Sequence, residues 1–134
     1  MEIEHALIAD YAEVVNGKLY LMGGGWDTTH APQVPATIRL AVAVGVRVDW
    51  GETGQVFPVL VTVEDDDGQE FVRIQGNVST SRAANAVPGA AQLAQIAANL
   101  PITLPAFGGY RVHISIGEAD AGRQCNLPFR LVAP

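Results

Sequence analysis

The dipeptide Asn16-Gly17 is the feature that most restricts how this chain can fold. It separates an apolar-rich run at residues 3–15 from a second run at residues 18–22. Asn-Gly is preferred in two-residue hairpin turns because both central residues of such a turn need a positive φ. We therefore expect the chain to begin with an antiparallel β-hairpin.

Three further segments are rich in β-branched or alternating apolar residues. Residues 36–48 predict one long strand, and the turn residues Asp66-Asp67-Gly68 predict a second hairpin between residues 56–64 and 70–75. The segment from Gln92 to Leu100 is ambiguous, since its Ala, Gln and Leu content favours a helix whereas its alternation of apolar residues favours a strand. We favour the strand, and we expect loops at residues 28–35 and 76–89.

The C-terminal part of the chain has the clearest alternation. Tyr, Val and Ile residues at 110, 112, 114 and 116 share one face of a predicted strand, and polar residues occupy the other. A turn at residues 119–123 leads to a last strand. Tyr110 follows a glycine and a proline-containing corner, which resembles the tyrosine corner of immunoglobulin-like domains, in which the phenol bonds to nearby backbone.

Together these patterns predict the fold class. Seven to eight strands with turn residues between them, and at most one short helix, indicate an all-β protein. We expect a two-sheet antiparallel β-sandwich, immunoglobulin-like or jelly-roll-like, formed by a single domain over residues 1–134.

Composition excludes several classes of function. Hydrophobic residues make up 49% of the chain and charged residues 16%, so disorder is excluded, and no apolar run is long enough for a membrane span. The net charge of −6 and the scattered basic residues argue against nucleic acid as a partner. Glu2 and Glu4 stand where a secretory signal would be basic, and Cys125 is the only cysteine. We therefore expect a cytoplasmic protein.

The run Gly23-Gly24-Gly25 raises the question of a phosphate-binding loop. Such a loop needs a helix whose N-terminal amides face the anion, whereas residues 26–32 have no helical periodicity and no lysine follows the glycines. We interpret the glycines as a bulge or close backbone approach in a strand. Trp26 would then close the end of the core.

Other candidate sites are weak on sequence grounds. The acidic run from Glu64 to Asp67 offers oxygen ligands for Ca²⁺ but lacks EF-hand spacing, so a solvated turn is favoured. His5, His30 and His113 have no metal-ligand spacing. We expect no cofactor and no bound metal.

Catalytic residues are equally hard to recognise. Asp10 and Glu13 would face opposite sides of a strand, and Cys125 and the serines lack nucleophile motifs, so we expect a structural thiol and no enzyme. A hydrolase that uses His30 or His113 is a weaker hypothesis.

The strings ADYAEVVNGKLYLMGGGWD, LPITLPAFGGYRVHISIGE and PFRLV resemble a bacterial family of domain-of-unknown-function proteins. The family's N-terminal stretch reads D-x-A-E-x-x-x-G-K-L-Y-x-x-G-G-G-W, and its C-terminal strand carries Pro-Gly before the tyrosine where this chain has Gly108-Gly109. The resemblance implies a bacterial cytoplasmic β domain, favours a strand at residues 92–100, and implies no chemistry.

The function that we expect from these observations is a non-enzymatic interaction or assembly module, as a homo-oligomer or as a subunit of a larger assembly. Trp26, Trp50 and Phe107 are the candidate partner-binding residues, because aromatic side chains near loops are common hot spots. The alternative is a β-sandwich that binds a small molecule or carbohydrate through the same aromatic residues, with Ca²⁺ at the acidic turn.

Overall fold

The computed structural model describes residues 1–118 and 123–134, and these residues are mostly in β-strands. The one helical element among them is a short 3₁₀ helix at Trp50–Glu52. The strands are β1 (Glu2–Val15), β2 (Lys18–Gly24), β3 (Thr28–His30), β4 (Ala36–Ile38), β5 (Ala41–Val48), β6 (Val56–Asp65), β7 (Glu70–Ser79), β8 (Gln92–Asn99), β9 (Ile102–Leu104), β10 (Gly108–Ile116) and β11 (Arg123–Val132).

The strands form three sheets. One has four strands in the order β2-β1-β5-β8, the second has five in the order β3-β11-β10-β6-β7, and the third contains only β4 and β9. All pairings are antiparallel except the one between β3 and β11, which is parallel. Strands β2 and β8 are the edges of the four-stranded sheet, and β3 and β7 are the edges of the five-stranded sheet.

The all-β class is confirmed, but the expected two antiparallel sheets of seven to eight strands are not, because the described residues form eleven strands in three sheets. The predicted long strand over residues 36–48 is interrupted at Arg39 and Leu40. The carbonyl of Leu40 accepts a hydrogen bond from the amide of Leu100 (2.6 Å), and the chain before it pairs with β9 in the register that pairs β5 with β8. The predicted loop at residues 28–35 contains the short parallel strand β3.

Several local predictions are confirmed. Asn16 and Gly17 have φ values of 51° and 74° and join β1 to β2 in an antiparallel hairpin. The turn at Asp66, Asp67 and Gly68 joins β6 to β7. The ambiguous segment that begins at Gln92 is strand β8, which pairs with β5. Ala94, Ile96 and Ala98 of this strand all pack against the main core, and this shared face explains why the sequence fitted a period of two.

One hydrophobic core connects the two larger sheets. Alternate valines of β5 and β6 are buried, as are alternate residues of β10 and the aromatic ring of Phe129 in β11. The largest fully buried side chains of this cluster are Phe129, Leu40, Leu104, Ile114, Ile116, Leu131, Val42, Val44, Val46, Val48, Val63 and Val112. Burial of this apolar area provides the main driving force for the fold.

Tyr110 forms the predicted tyrosine corner. Its phenol donates a hydrogen bond to the carbonyl of Ala106 (2.6 Å) and accepts one from the amide of the same residue (3.3 Å). The ring is buried and stacks on Phe129 with a centroid distance of 5.6 Å. The phenol therefore fixes the loop before β10 while the ring fills the core.

The sequence predicts a turn at residues 119–123, of which residues 119–122 lie outside the described residues. Within the described part of the chain, no helix has the length and apolarity needed to cross a membrane.

Candidate functional site

The distal half of the β1–β2 hairpin packs on the outer face of the four-stranded sheet. Valines at even positions of β5 face the core, whereas Ala41 and Ala43 face the opposite side and are fully buried there. Ala12 belongs to the same small cluster, and Leu19, Leu21 and Ala97 pack against it. These small side chains let the hairpin approach the sheet closely, since a larger residue at the contact would hold the two backbones apart.

Asn99 links the hairpin to strand β8. Its Nδ2 donates to the carbonyl of Ala12 (2.7 Å), and its Oδ1 accepts from the amide of the same residue (3.1 Å). A side-chain carboxamide that satisfies both backbone groups of one residue reproduces the hydrogen bonds of a neighbouring strand. The residue that ends β8 therefore takes the place of a partner strand at Ala12.

The other face of the hairpin is apolar and exposed. Three cross-strand pairs lie side by side on it: Tyr11 with Met22, Glu13 with Tyr20, and Val15 with Lys18. The exposed fractions are 43% for Tyr11, 54% for Tyr20, 69% for Met22 and 39% for Val15. Half of the eight exposed large hydrophobic residues in the described part of the chain lie on this face. We call these six residues the hairpin face.

Tyr11 is held in place along this face. Its phenol donates a hydrogen bond to Oε2 of Glu13 (3.1 Å), and this bond raises the pKa of Tyr11 above its ordinary value. The carboxylate charge acts in the same direction, because a negative neighbour disfavours the phenolate.

A polar cleft of about 590 Å³ lies beside strand β1 of the hairpin. Its walls are residues 11–14 of β1, residues 77–79 of β7, and residues of β8 from Gln95 to Asn99. Because β7 and β8 are both edge strands, the cleft lies between two sheet edges. Such edges present backbone N–H and C=O groups that no neighbouring strand takes up.

The glycine run has the structural role that the sequence indicated. Gly23 and Gly25 have φ values of 60° and 81°, and the amide of Gly25 donates to the carbonyl of Ile8 (2.7 Å). A Cβ at Gly23 would overlap the carboxylate of Asp10. No helix starts at Trp26 or Asp27, because strand β3 follows. The described segment after the glycines therefore has no helix N-terminus that could bind an anion.

The three predicted site residues do not come together. Trp26 is half-buried and meets Phe129 edge to face at 6.1 Å, so it closes the core as expected. Trp50 begins the 3₁₀ helix after β5, and the guanidinium of Arg82 stacks on its ring at 3.9 Å. Phe107 is 41% exposed and lies just before β10. Trp26 lies near the Ala41 end of β5 and Trp50 follows the other end, so these two residues form no shared aromatic surface.

A comparison with models of known families matches residues 4–130 to a family of unknown function, DUF6941. The match covers most of the chain. The chain belongs to the DUF6941 family. A comparison with curated proteins gave no match. Membership in DUF6941 agrees with the expectation that the chain belongs to a family of unknown function.

The histidines of this DUF6941 chain have separate environments. The imidazole of His5 lies against Gly45, where a Cβ would overlap it, and its Nε2 is buried without a hydrogen-bond partner. His30 is exposed in β3, and Nδ1 of His113 lies 2.8 Å from Oδ1 of Asn126. Among the described residues, no group of three or more His, Cys, Asp or Glu side chains could hold a metal ion.

The acidic run adopts the hairpin geometry that its composition indicated. The carboxylate of Asp65 accepts hydrogen bonds from the amides of Asp67 and Gln69 (2.9 Å each), and Glu64 forms an ion pair with Arg111. Asp66 lies against Gly109. These contacts occupy the carboxylates of Glu64 and Asp65.

Cys125 is half-buried and packs against the main core, whereas Asp10 and Glu13 are exposed. The predicted structural role of the thiol agrees with this packing.

The hairpin face, Asn99 and the polar cleft were not among the predicted site residues. The run KLYLM alternates Leu19 and Leu21 with Tyr20 and Met22, so both faces of β2 are apolar and the sequence does not reveal which one is covered. Asn99 ends an alanine-rich segment and carries no motif. The cleft lies between the edge strands β7 and β8. These strands pair with different sheets, so no local sequence pattern predicts that they lie close together.

Proposed function

We propose that this protein is a non-enzymatic interaction module that associates with a second copy of itself through strand β2 and the hairpin face. The single observation that carries the proposal is the concentration of exposed Tyr11, Tyr20, Met22 and Val15 on one ordered two-stranded face. Contiguous exposed apolar surface on a folded protein is typical of an interaction site. The two larger sheets share one core, which supports a sandwich-like frame for this module.

The edge strand β2 supplies the backbone half of the contact. In a two-residue hairpin the residues that flank the turn form a hydrogen-bonded pair, so Lys18, Tyr20 and Met22 direct their backbone groups to β1. The backbone groups of Leu19 and Leu21 consequently point away from β1, towards the free edge. A second β2 strand can bond there in antiparallel orientation.

Symmetry makes this edge self-complementary. When two β2 strands pair about a two-fold axis at Tyr20, Leu19 of one chain bonds to Leu21 of the other. Tyr20 then lies opposite Tyr20 of the second copy, in a pair without direct backbone bonds, where side chains approach most closely. Met22 faces Lys18 of the second copy, so the apolar face continues across the axis.

Sedimentation equilibrium over a range of protein concentrations tests the proposal. We expect the wild-type chain to form dimers and Tyr20→Lys to weaken dimer formation at least about tenfold, because a lysine at the centre of the contact places two like charges opposite each other. Phe107→Lys is the control at an exposed aromatic residue outside the hairpin face.

Met22→Lys should weaken dimer formation in the same way. Its control is Val87→Lys, outside the hairpin face, because both wild-type side chains are 69% exposed. A wild-type chain that stays monomeric at every concentration, or a dimer that Tyr20→Lys leaves intact, contradicts the proposal.

The alternative function, binding of a small molecule or carbohydrate with Ca²⁺, has one supporting observation. Asp66 of the acidic turn and Asp27, which follows Trp26, line a common cleft of about 260 Å³ together with Arg130. Titration calorimetry with Ca²⁺ on the wild-type chain and on Asp66→Asn tests it, since heat that disappears in the variant would favour this function over the first.

A further inference from the structure

We propose that the polar cleft between β1, β7 and β8 binds an extended peptide segment, which adds as a strand to the free edge of β8. The peptide partner is uncharged or basic. This site shares Tyr11 and Glu13 with the hairpin face, but it does not use strand β2, through which the proposed dimer forms.

The direction of the backbone groups in β8 follows from one hydrogen bond. The amide of Leu100 donates to the carbonyl of Leu40 (2.6 Å), and the register that pairs Ala41 with Asn99 continues through this pair. Because hydrogen-bonded and non-bonded pairs alternate in an antiparallel ladder, the even-numbered residues of β8 bond to β5. The N–H and C=O groups of Gln95 and Ala97 therefore point away from the sheet, and both residues line the cleft.

The opposite wall follows the same rule. The amide of Gly117 donates to the carbonyl of Pro58 (2.9 Å), so the even-numbered residues of β6 bond to β10 and the odd-numbered ones bond to β7. The backbone groups of Asn77 and Ser79 in β7 consequently point outward, and both residues line the cleft. The two walls thus present outward-facing backbone donors and acceptors to the same space, which is the requirement for strand addition.

A buried acceptor in the cleft wall lacks a donor. Oε1 of Gln95 is buried and has no hydrogen-bond partner among the described residues. An unpaired buried carbonyl oxygen destabilises a protein, and such groups in folded proteins call for an explanation such as a ligand. Nε2 of His5 is also buried without a partner, in the row that joins His5, Gly45 and Gln95. The side chain of Gln95 would turn from this buried position into the cleft, where an N–H group of a bound peptide supplies the donor.

Asn99 marks one end of the free edge, because its carboxamide bonds to both backbone groups of Ala12 at that end of the cleft. A peptide that lies along the rest of β8 would bond through its own backbone to the backbone groups of Ala97 and Gln95. Glu13 in the cleft wall and the protein's net charge of −6 both favour a peptide that is uncharged or basic.

Selection from a phage-displayed library of random linear peptides on the full chain, followed by fluorescence anisotropy with the enriched peptides, tests the proposal. Methylation of single peptide nitrogens is the decisive measurement, because it removes backbone donors without altering the protein. We expect a period of two: methylation at alternate positions weakens binding at least about tenfold, and methylation at the positions between them changes it by less than about twofold.

Gln95→Leu separates a binding role from a structural one. The variant removes the unpaired oxygen, so its denaturation midpoint should stay the same or rise, while peptide affinity falls about tenfold. Gln124→Leu, at an exposed glutamine of β11, is the matched control and should leave affinity unchanged. Tyr20→Lys should bind the same peptides as the wild-type chain, which keeps this test independent of dimer formation.

Three outcomes would overturn the proposal: no enriched peptide, affinity that is insensitive to nitrogen methylation, or equal affinity in Gln95→Leu. Binding of an oligosaccharide from a glycan array that Gln95→Leu abolishes would also overturn it, because the ligand would then be a carbohydrate.

Discussion

Tyr110 and Tyr20 both lie in antiparallel strands next to a hairpin partner, yet their surroundings are opposite. Tyr110 is 4% exposed, stacks on Phe129 and satisfies its phenol with the backbone of Ala106. Tyr20 is 54% exposed and lies on the outward face of β2. The ring of Tyr110 stabilises the fold, whereas the ring of Tyr20 contributes little to it and remains available for a partner.

The same contrast holds for the strands around them. Strand β10 is central in the five-stranded sheet and has a neighbour on each side, whereas β2 is an edge strand. The hairpin of β1 and β2 is held by a small alanine cluster and by Asn99. The region near β10 should therefore govern global stability, and the hairpin region should govern association.

The largest expected effect compares two phenylalanines near Tyr110. Phe129→Ala should lower the free energy of unfolding by about 3–5 kcal/mol, because it leaves a cavity beneath Tyr110 and Trp26 in the core. Phe107→Ala removes an exposed ring and should change it by less than about 0.5 kcal/mol. Urea denaturation followed by circular dichroism measures both, and similar losses in the two variants would break the comparison.

The next effect tests how the hairpin is attached. Ala43→Leu should destabilise the protein by about 1–3 kcal/mol, because the added atoms have no space between the outer face of β5 and the hairpin. Ala91→Leu is the control at an exposed alanine. Hydrogen exchange of the amides of β2 should also accelerate in Ala43→Leu. An unchanged denaturation midpoint in this variant would mean that the hairpin does not pack on the sheet.

A smaller effect compares the two phenols directly. Tyr110→Phe should lower the free energy of unfolding by about 1 kcal/mol, because the backbone groups of Ala106 lose their hydrogen bonds to the phenol. Tyr20→Phe should leave the denaturation midpoint within error, since its ring is exposed. An unchanged denaturation midpoint in Tyr110→Phe would show that the tyrosine corner does not stabilise the fold.

Parts of this architecture could be predicted because their causes are local. The Asn16-Gly17 turn, the alternation in β10 and the corner at Tyr110 each depend on neighbouring residues. The break at Arg39 and Leu40 could not be predicted from residues 36–48 alone, because these residues keep one register with the distant segment 92–104 and the break lies opposite Leu100 and Pro101. The parallel pairing of Thr28 to His30 with β11 is also non-local, and its short polar sequence resembles a loop.

The hairpin face could not be predicted from the sequence for a related physical reason. The candidate partner-binding residues were aromatic residues near loops, of which Trp26 closes the core against Phe129 as expected and Trp50 lies beneath Arg82. The exposed tyrosines lie within strands instead, in a hairpin whose two faces are both apolar. Which face is covered depends on the alanines of β5 and β8, and the sequence of the hairpin does not contain that information.

The smallest expected effect concerns Tyr11, the third tyrosine and a member of the hairpin face. The hydrogen bond to Glu13 raises the pKa of Tyr11 above about 10, so Glu13→Gln should lower that pKa towards 10. The folded-state pKa is raised, so the contribution of this bond to stability is complete below pH 10 and is lost as the pH rises through the raised pKa. An NMR titration of the tyrosine ring carbons measures this pKa in both proteins. An equal Tyr11 pKa in wild type and Glu13→Gln would show that the phenol rotates freely on the hairpin face, and the aromatic surface offered to a partner would then be less ordered than the ring of Tyr110.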